Sequence, residues 1–191
     1  MSLKIYIEAG ANNGIEQTRS MRQAMDEEYF GILVEPLLHS YQSCVENRSN
    51  ERTKVYHCAL VPFSHIKDSI ELNLHTHDLM ATVVAMPNPE DYPRKYKAPA
   101  RTLDSILIEN DITHVEHLFL DVEGYELEVL KGVDFNSTSF SNIEIECHYY
   151  LKNIPKEEEV DSFVRLLSAQ GYTFKGILDE PQPKMQFVSN Q

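Results

Sequence analysis

Residues 3–14, Leu3-Lys4-Ile5-Tyr6-Ile7-Glu8-Ala9-Gly10-Ala11-Asn12-Asn13-Gly14, decide how this chain is read. The apolar run from Leu3 to Glu8 ends in a glycine and asparagine cluster, which predicts a strand breaking abruptly into a turn. Polar residues follow, with Met21, Ala24 and Met25 at helical spacing, so Ile15 to Glu28 is expected as a helix.

The same unit then repeats. Gly31-Ile32-Leu33-Val34-Glu35 is a continuous apolar run of the kind found in strands covered on both faces, and Leu37 to Val45 is the expected helix after it. Lys54 to Leu60 is expected as a third strand. Further on come a helix from Thr102 to Asn110, a buried strand from His117 to Asp121, a helix from Glu126 to Lys131 ended near Gly132, and a strand from Asn142 to Cys147. Lys156 to Gln170 has the apolar spacing of an amphipathic helix and stops at Gly171. Tyr172 to Leu178 and Lys184 to Val188 are expected to close the sheet as an antiparallel pair around Pro181 and Pro183. Strand and helix alternating in this way predict an α/β fold, Rossmann-like, with a mostly parallel central sheet flanked by helices. Ligands of such sheets bind along the carboxyl edge of the strands.

Residues 61–100 break the rhythm. Strands are expected at Ser69 to Leu74 and Thr82 to Ala85, but Pro87, Pro89, Pro93 and Pro99 remove amide donors, and no central strand is expected there. This stretch reads as an insertion or lid within one domain spanning residues 1–191. Its Tyr92, Arg94, Lys95, Tyr96 and Lys97 form a locally basic, aromatic loop suited to covering a substrate, or simply a surface loop.

Composition narrows the partners. With 191 residues, 42% of them hydrophobic, the chain has material for one substantial core. A formal net charge of -13 argues against a nucleic-acid groove, which needs clustered Lys and Arg, and favours a small-molecule partner. Cys44, Cys58 and Cys147 lack the paired spacings of a zinc site or redox couple and read as reduced, buried thiols. No long apolar stretch precedes the first strand, so no membrane association and a cytoplasmic location are expected. These features do not bear on oligomeric state.

Glu8-Ala9-Gly10-Ala11-Asn12-Asn13-Gly14 has an acidic-x-Gly-x-x-x-Gly pattern, and its glycines allow a tight turn and close backbone approach to a ligand. A dinucleotide fingerprint would need glycine where Asn12 and Ile15 stand, which counts against NAD. Glu35 ends the second strand, where a carboxylate accepts hydrogen bonds from ribose hydroxyls. These features alone leave three readings open: an S-adenosylmethionine site, an NAD-dependent oxidoreductase, and a non-catalytic module binding a nucleoside or a partner.

Phe119-Leu120-Asp121-Val122-Glu123-Gly124-Tyr125-Glu126-Leu127-Glu128-Val129-Leu130-Lys131-Gly132 resembles the signature segment of FkbM-type methyltransferases, an apolar pair followed by Asp-Val-Glu-Gly-x-Glu and Leu-Lys-Gly. Gly10-Ala11-Asn12-Asn13-Gly14 is similar to that family's turn, Val34-Glu35-Pro36 to its Glu-Pro, and Arg101-Thr102-Leu103-Asp104 to its Thr-Leu-Asp. The resemblance spans about residues 5 to 147. Glu8 stands where the family usually has Asp, and the run through Gln17 to Thr18 is one residue longer. The resemblance implies a class I methyltransferase fold and S-adenosylmethionine as cofactor. Glu8, Gly10, Ala11, Asn12, Asn13 and Gly14 would hold the methionine part, Glu35 with Pro36 the ribose, Ala59 and Leu60 the adenine, and Asp121 would lie beside the sulfonium. It also implies O-methylation of a small-molecule acceptor, a sugar or natural-product hydroxyl.

A hydroxyl acceptor needs a base or a metal at neutral pH. Asp121 and Glu123 close one strand and Glu146 and His148 the next, and alternation would turn each pair the same way. A base at His148 or Glu146, with Asp121 in the active site, is the expected arrangement. A divalent cation is conceivable there, but a metal-free site is the expectation. His75 and His77 read as a polar strand face, and Lys156-Glu157-Glu158-Glu159 as a solvated helix start.

Overall fold

In β1 (Lys4–Ala9) and β2 (Tyr29–Glu35) successive side chains serve opposite sides of one sheet. Ile7, Ala9, Ile32 and Val34 join a large apolar core, whereas Tyr6 and Leu33 join a small one. The computed structural model describes residues 3–16, 18–76, 81–84, 89–179 and 183–190. Within them, α1 (Met21–Ala24) and α2 (Leu38–Arg48) are followed by β3 (Thr53–His57), β4 (Ala59–Leu60), β5 (Ser69–Leu74), β6 (Ala81–Thr82) and β7 (Arg94–Arg101). The rest comprises α3 (Leu103–Glu109), β8 (His114–Leu120), α4 (Glu126–Leu130), β9 (Ser139–Glu146), α5 (Tyr149–Lys152), α6 (Lys156–Ala169), β10 (Tyr172–Asp179) and β11 (Pro183–Ser189).

The central sheet has seven strands in the order β10-β11-β9-β8-β1-β2-β3. β1, β2, β3, β8 and β9 are parallel, and β11 runs antiparallel between β9 and β10. The chain leaves β1 toward β2 on one side and returns to β8 on the other, so the crevice at their carboxyl ends is a topological switch point. The large core lies on the face covered by α3, α4 and α6, with Leu118, Leu120, Ile143, Ile145, Leu107, Leu130 and Phe163 fully or almost fully buried. The other face has the small core of Tyr6, Leu33, Cys44 and Phe119. Pleating therefore assigns Glu8, Glu35 and Glu146 to that thinner side, along with Asp121 just beyond β8.

Several sequence expectations change. The helix expected from Ile15 to Glu28 shrinks to the four residues of α1, because the preceding chain is tied down elsewhere. Thr18 Oγ1, Arg19 N and Ser20 Oγ all donate to the Glu8 carboxylate, at 2.8, 2.7 and 2.5 Å, which also takes up the hydroxyl that would cap α1. The expected strand from Lys54 to Leu60 divides at Cys58, and β4 joins a second, four-stranded sheet of order β4-β7-β5-β6. Residues 61–100 are thus more regular than their prolines suggested, and Pro99 sits in β7, between two neighbouring strands. Ala100 N donates to Asp68 O, so alternation turns the Pro99 nitrogen away from β5, and β4 pairs with β7 only at Ala100 and Arg101. The missing donor therefore has no partner to disappoint. Arg94, Lys95, Tyr96 and Lys97 belong to this strand rather than to a loop, and Lys95 pairs with Glu71 on β5 at 3.4 Å. Glu159 is not solvated either: it is buried, 2.7 Å from Lys152 Nζ. Gln17, His77, Ala85, Pro87 and Pro181 lie outside the described residues.

Gly10 (φ +84°) and Gly171 (φ +87°) share a left-handed backbone but differ in surroundings. A Cβ on Gly10 would meet the Asp121 carbonyl oxygen at 1.8 Å, whereas one on Gly171 would meet nothing within 4 Å. We expect Gly171→Ala to cost about 1 kcal/mol, the conformational term alone, and Gly10→Ala to cost well over that, read as urea midpoints. Equal midpoints would show that β1 and β8 do not approach this closely.

Candidate functional site

Where β1, β2 and β8 end, the backbone is drawn into one knot. Gly10 N and Ala11 N both donate to Val34 O, at 2.9 and 3.1 Å, and Asp121 N donates to Ala9 O. Asn12, at φ +49°, donates its N–H to Glu35 Oε2 at 2.9 Å, and Leu37 N donates to Glu35 Oε1 at 2.8 Å. Burial pushes the Glu35 carboxyl up to about 7, against the pull of those two backbone donors.

Beside this knot opens a cleft with an empty volume of about 800 Å³, counted out to solvent. Gly10 and Asn12 form its floor with Glu35 and Pro36; Cys58, Ala59 and Leu60 form an apolar end; Asp121, Val122, Glu123 and Tyr125 form the opposite wall. Leu72, Ala81 and Val83 of the small sheet close a further side. Of the expected cofactor residues, Gly10, Asn12, Glu35, Pro36, Ala59, Leu60 and Asp121 therefore meet in one cavity. Glu8, Ala11, Asn13 and Gly14 do not line it. Glu8 is buried under Thr18, Arg19 and Ser20; Ala11 packs in the small core; Asn13 Oδ1 accepts from the N–H groups of Ile15 and Glu16; Gly14 faces α2.

Behind the Asp121 wall lies a dense buried cluster. His148 is 1% exposed, and its Nε2 stands 3.6 Å from Asp121 Oδ1, 3.4 Å from Glu123 Oε2 and 3.9 Å from Glu146 Oε1. All four expected groups converge, although the chain turns after β8, with Glu123 at φ +54°, instead of continuing as a strand. His148 Nδ1 stands 2.9 Å from Glu126 Oε1, an ion pair without an aligned hydrogen bond. Burial would lower the imidazole, but Glu126, Glu123 and Asp121 outweigh it and raise His148 to about 9. Burial raises Glu123 to about 7 and also raises Asp121. Glu126, fully buried, is nonetheless held below the usual carboxylate range, because His148 and Lys152 overcome its desolvation.

Three buried charged side chains, two of them in this cluster, escaped sequence reasoning. Arg19 lays Nη2 3.0 Å from Asp121 Oδ2 and against Glu146 Oε2, with Nη1 3.6 Å from Glu144. The available signal was its position as a lone cation between the turn and the first helix of a chain whose strands end in carboxylates. Glu126, and not Glu123, secures the turn before α4: its Oε1 accepts from Val122 N and Gly124 N, both at 3.0 Å. Arg48, the last residue of α2, is buried and reaches back to Gly14 O at 2.7 Å, Thr18 Oγ1 and Ser20 Oγ at 3.1 Å, and Tyr6 Oη at 3.2 Å. The three cysteines are free and buried, and burial pushes each thiol up to about 12. His75 packs edge-on against Tyr92.

A family profile for the methyltransferase FkbM domain matches residues 8–174. The chain belongs to the FkbM methyltransferase family. Its fold is similar to that of methyltransferase FkbM from Methylobacillus flagellatus KT, with a TM-score of 0.59 at 15% identity over 98% of this chain and 44% of that one. It is also similar to a human methyltransferase 10 domain containing protein, at TM-score 0.52 and 11% identity over 100% of this chain and 73% of that one. The chain thus spans less than half the length of the bacterial FkbM protein. A search of curated proteins gives no match. The sheet order and its antiparallel penultimate strand are those of a class I methyltransferase fold.

The turn from Gly14 to Ser20 hangs on Arg48. We expect Arg48→Met to lose about 3 kcal/mol of stability, since it strands a buried carbonyl and three hydroxyls, and to raise amide hydrogen exchange selectively across residues 14–20. Unchanged exchange there would show that the turn is held by Glu8 alone.

Proposed function

We propose that the protein transfers a methyl group from S-adenosylmethionine to a hydroxyl of a small-molecule acceptor of sugar or natural-product type. The observation that carries this is the cleft itself, in which a glycine turn, a ribose-compatible carboxylate and an apolar end line one cavity. Two Glu35 oxygens receive one backbone N–H each, so each keeps a lone pair for a sugar hydroxyl. Ala59 and Leu60 suit a purine face, and the backbone of Gly10 and Asn12 suits the amino-acid end. Bound in this cleft, the sulfonium supplies an activated methyl group.

Alignment and exclusion of water are then the work of the protein. Asp121 and Glu123 are the carboxylates on the cleft wall, so one of them takes the acceptor proton as the hydroxyl attacks. His148 and Glu146, 1% and 2% exposed, act through Asp121 and Glu123 rather than on the acceptor directly. The small sheet of residues 59–101 works as a wall or lid over the cleft, within a single methyltransferase domain. The acidic balance of -13 favours a small acceptor over nucleic acid. Buried free thiols fit a cytoplasmic setting, and no helix among the described residues is long and apolar enough to cross a membrane.

Calorimetric titration with S-adenosylhomocysteine and with NAD tests the cofactor. Micromolar binding of the first, weakened at least tenfold by Glu35→Ala, is expected; a preference for NAD would overturn the assignment. Because burial raises Glu35 to about 7, the carboxylate is ionised at pH 8 and mostly protonated at pH 6. Affinity for the nucleoside is therefore expected to fall by up to about tenfold between those values. Wild-type affinity that does not vary with pH would remove Glu35 from ribose recognition.

A further inference from the structure

Buried polar atoms outside hydrogen-bond geometry are rare and call for an explanation when they gather in one place. Among the described residues, eight buried side-chain nitrogen and oxygen atoms lack an aligned hydrogen bond. Six of them belong to the cluster behind the cleft wall: Arg19 Nε and Nη1, Glu123 Oε2, Glu126 Oε2, Glu146 Oε2 and His148 Nδ1; all but Arg19 Nε meet an opposite charge within 4 Å, as ion pairs only. Glu146 is 2% exposed and His148 1%, so water is largely excluded from these two side chains.

The cluster also has a direction. Arg19 engages Asp121 Oδ2 and Glu146 Oε2, leaving the other oxygen of each carboxylate turned toward His148 Nε2. Asp121 Oδ1 is 3.6 Å and Glu146 Oε1 3.9 Å from that nitrogen, and one ligand atom from each of the three residues lies within 4.8 Å of the others. Neighbouring donors around an ion with bonds of about 2.1 Å lie roughly 3.0 to 3.4 Å apart, so small side-chain rotations close the site. Glu126 Oε1 stands on the Nδ1 side of the imidazole, so Nε2 is the nitrogen that faces Asp121 and Glu146. Glu123 Oε2, 3.4 Å from Nε2, offers a further oxygen.

We propose that Asp121 Oδ1, Glu146 Oε1 and His148 Nε2 form a site for one divalent first-row transition ion, at the wall where Asp121 and Glu123 border the cleft. This departs from the metal-free site expected from sequence. One imidazole with two or three carboxylates suits Mn²⁺, Fe²⁺ or Zn²⁺ better than Mg²⁺ or Ca²⁺, which prefer oxygen alone. Arg19 stays on the outer oxygens as a counter-charge. The role of the ion rests on the methyltransferase reading: it makes the acceptor hydroxyl more acidic, so that the oxygen attacks the methyl carbon as its proton leaves to Glu123. The carbon–sulfur bond breaks as the carbon–oxygen bond forms, and its electron pair remains on sulfur as a neutral thioether.

The test is titration of chelator-treated protein with Mn²⁺, followed by loss of the aqueous electron paramagnetic resonance signal. One equivalent is expected to bind, with nitrogen-14 modulation from an imidazole in the pulsed spectrum of the wild-type protein. His148→Gln and Glu146→Gln, with folding checked by thermal melting, should each weaken binding tenfold or more. No binding, binding without nitrogen modulation, or binding indifferent to both variants would overturn the site; the nitrogen signal decides the matter if neither variant folds. S-adenosylhomocysteine titrated into the same samples separates the two readings. Loss of Mn²⁺ binding with the nucleoside still bound rejects only the ion, whereas Mn²⁺ binding without the nucleoside rejects the cofactor assignment.

Discussion

The approach of Gly10 to the carbonyl of Asp121 is the constraint on which the rest of this molecule depends. With no Cβ at Gly10, β1 and β8 end at backbone contact, and the amides of Gly10 and Ala11 turn toward Val34 and so toward β2. Three strand ends are thereby fixed to one another before any side chain is considered. The Glu35 carboxylate then ties the turn to the start of α2 by accepting from Asn12 and Leu37. The cleft is the space left over once these backbone groups have found partners.

The protein concentrates charge where its covering is thinnest. Pleating sends the large aliphatic residues to the face under α3, α4 and α6 and the strand-end carboxylates to the other, where the apolar core is small. Ionised groups on that face are desolvated without being far from water, so their proton affinities respond strongly to neighbours. Glu126 and Glu123, three residues apart, shift in opposite directions for this reason: His148 and Lys152 hold one down, while burial near Asp121 pushes the other up. Such divergence between adjacent acids suits a site that must both bind and move a proton.

Much of the sheet was legible because buried strands such as 31–35 and 117–121 are apolar runs bounded by glycine or acids. The family signature around Asp121 and the carboxylate at Glu35 were legible too, since both lie at strand ends with fixed spacing. What escaped depends on partners distant in sequence. Nothing local to residues 15–20 shows that Glu8 will take their donors, so the helix was drawn too long. Pro99 argued against a strand, and only the half-register of β4 makes one tolerable. Arg19 and Arg48 look like ordinary surface cations until the strands fold them inward.

One feature of the sheet bears on how the chain must assemble. β11 lies between β9 and β10, so β10, although made earlier, has no hydrogen-bonding neighbour in the sheet until the segment from Pro183 to Ser189 arrives. During synthesis, β9 stays an open edge until residues 183–189 have emerged, and the strand bearing Glu146 gains its second neighbour only then. The side of the cleft formed by Asp121 and Glu123 therefore gains its backing late, after the strands that carry Gly10 and Glu35 have been made.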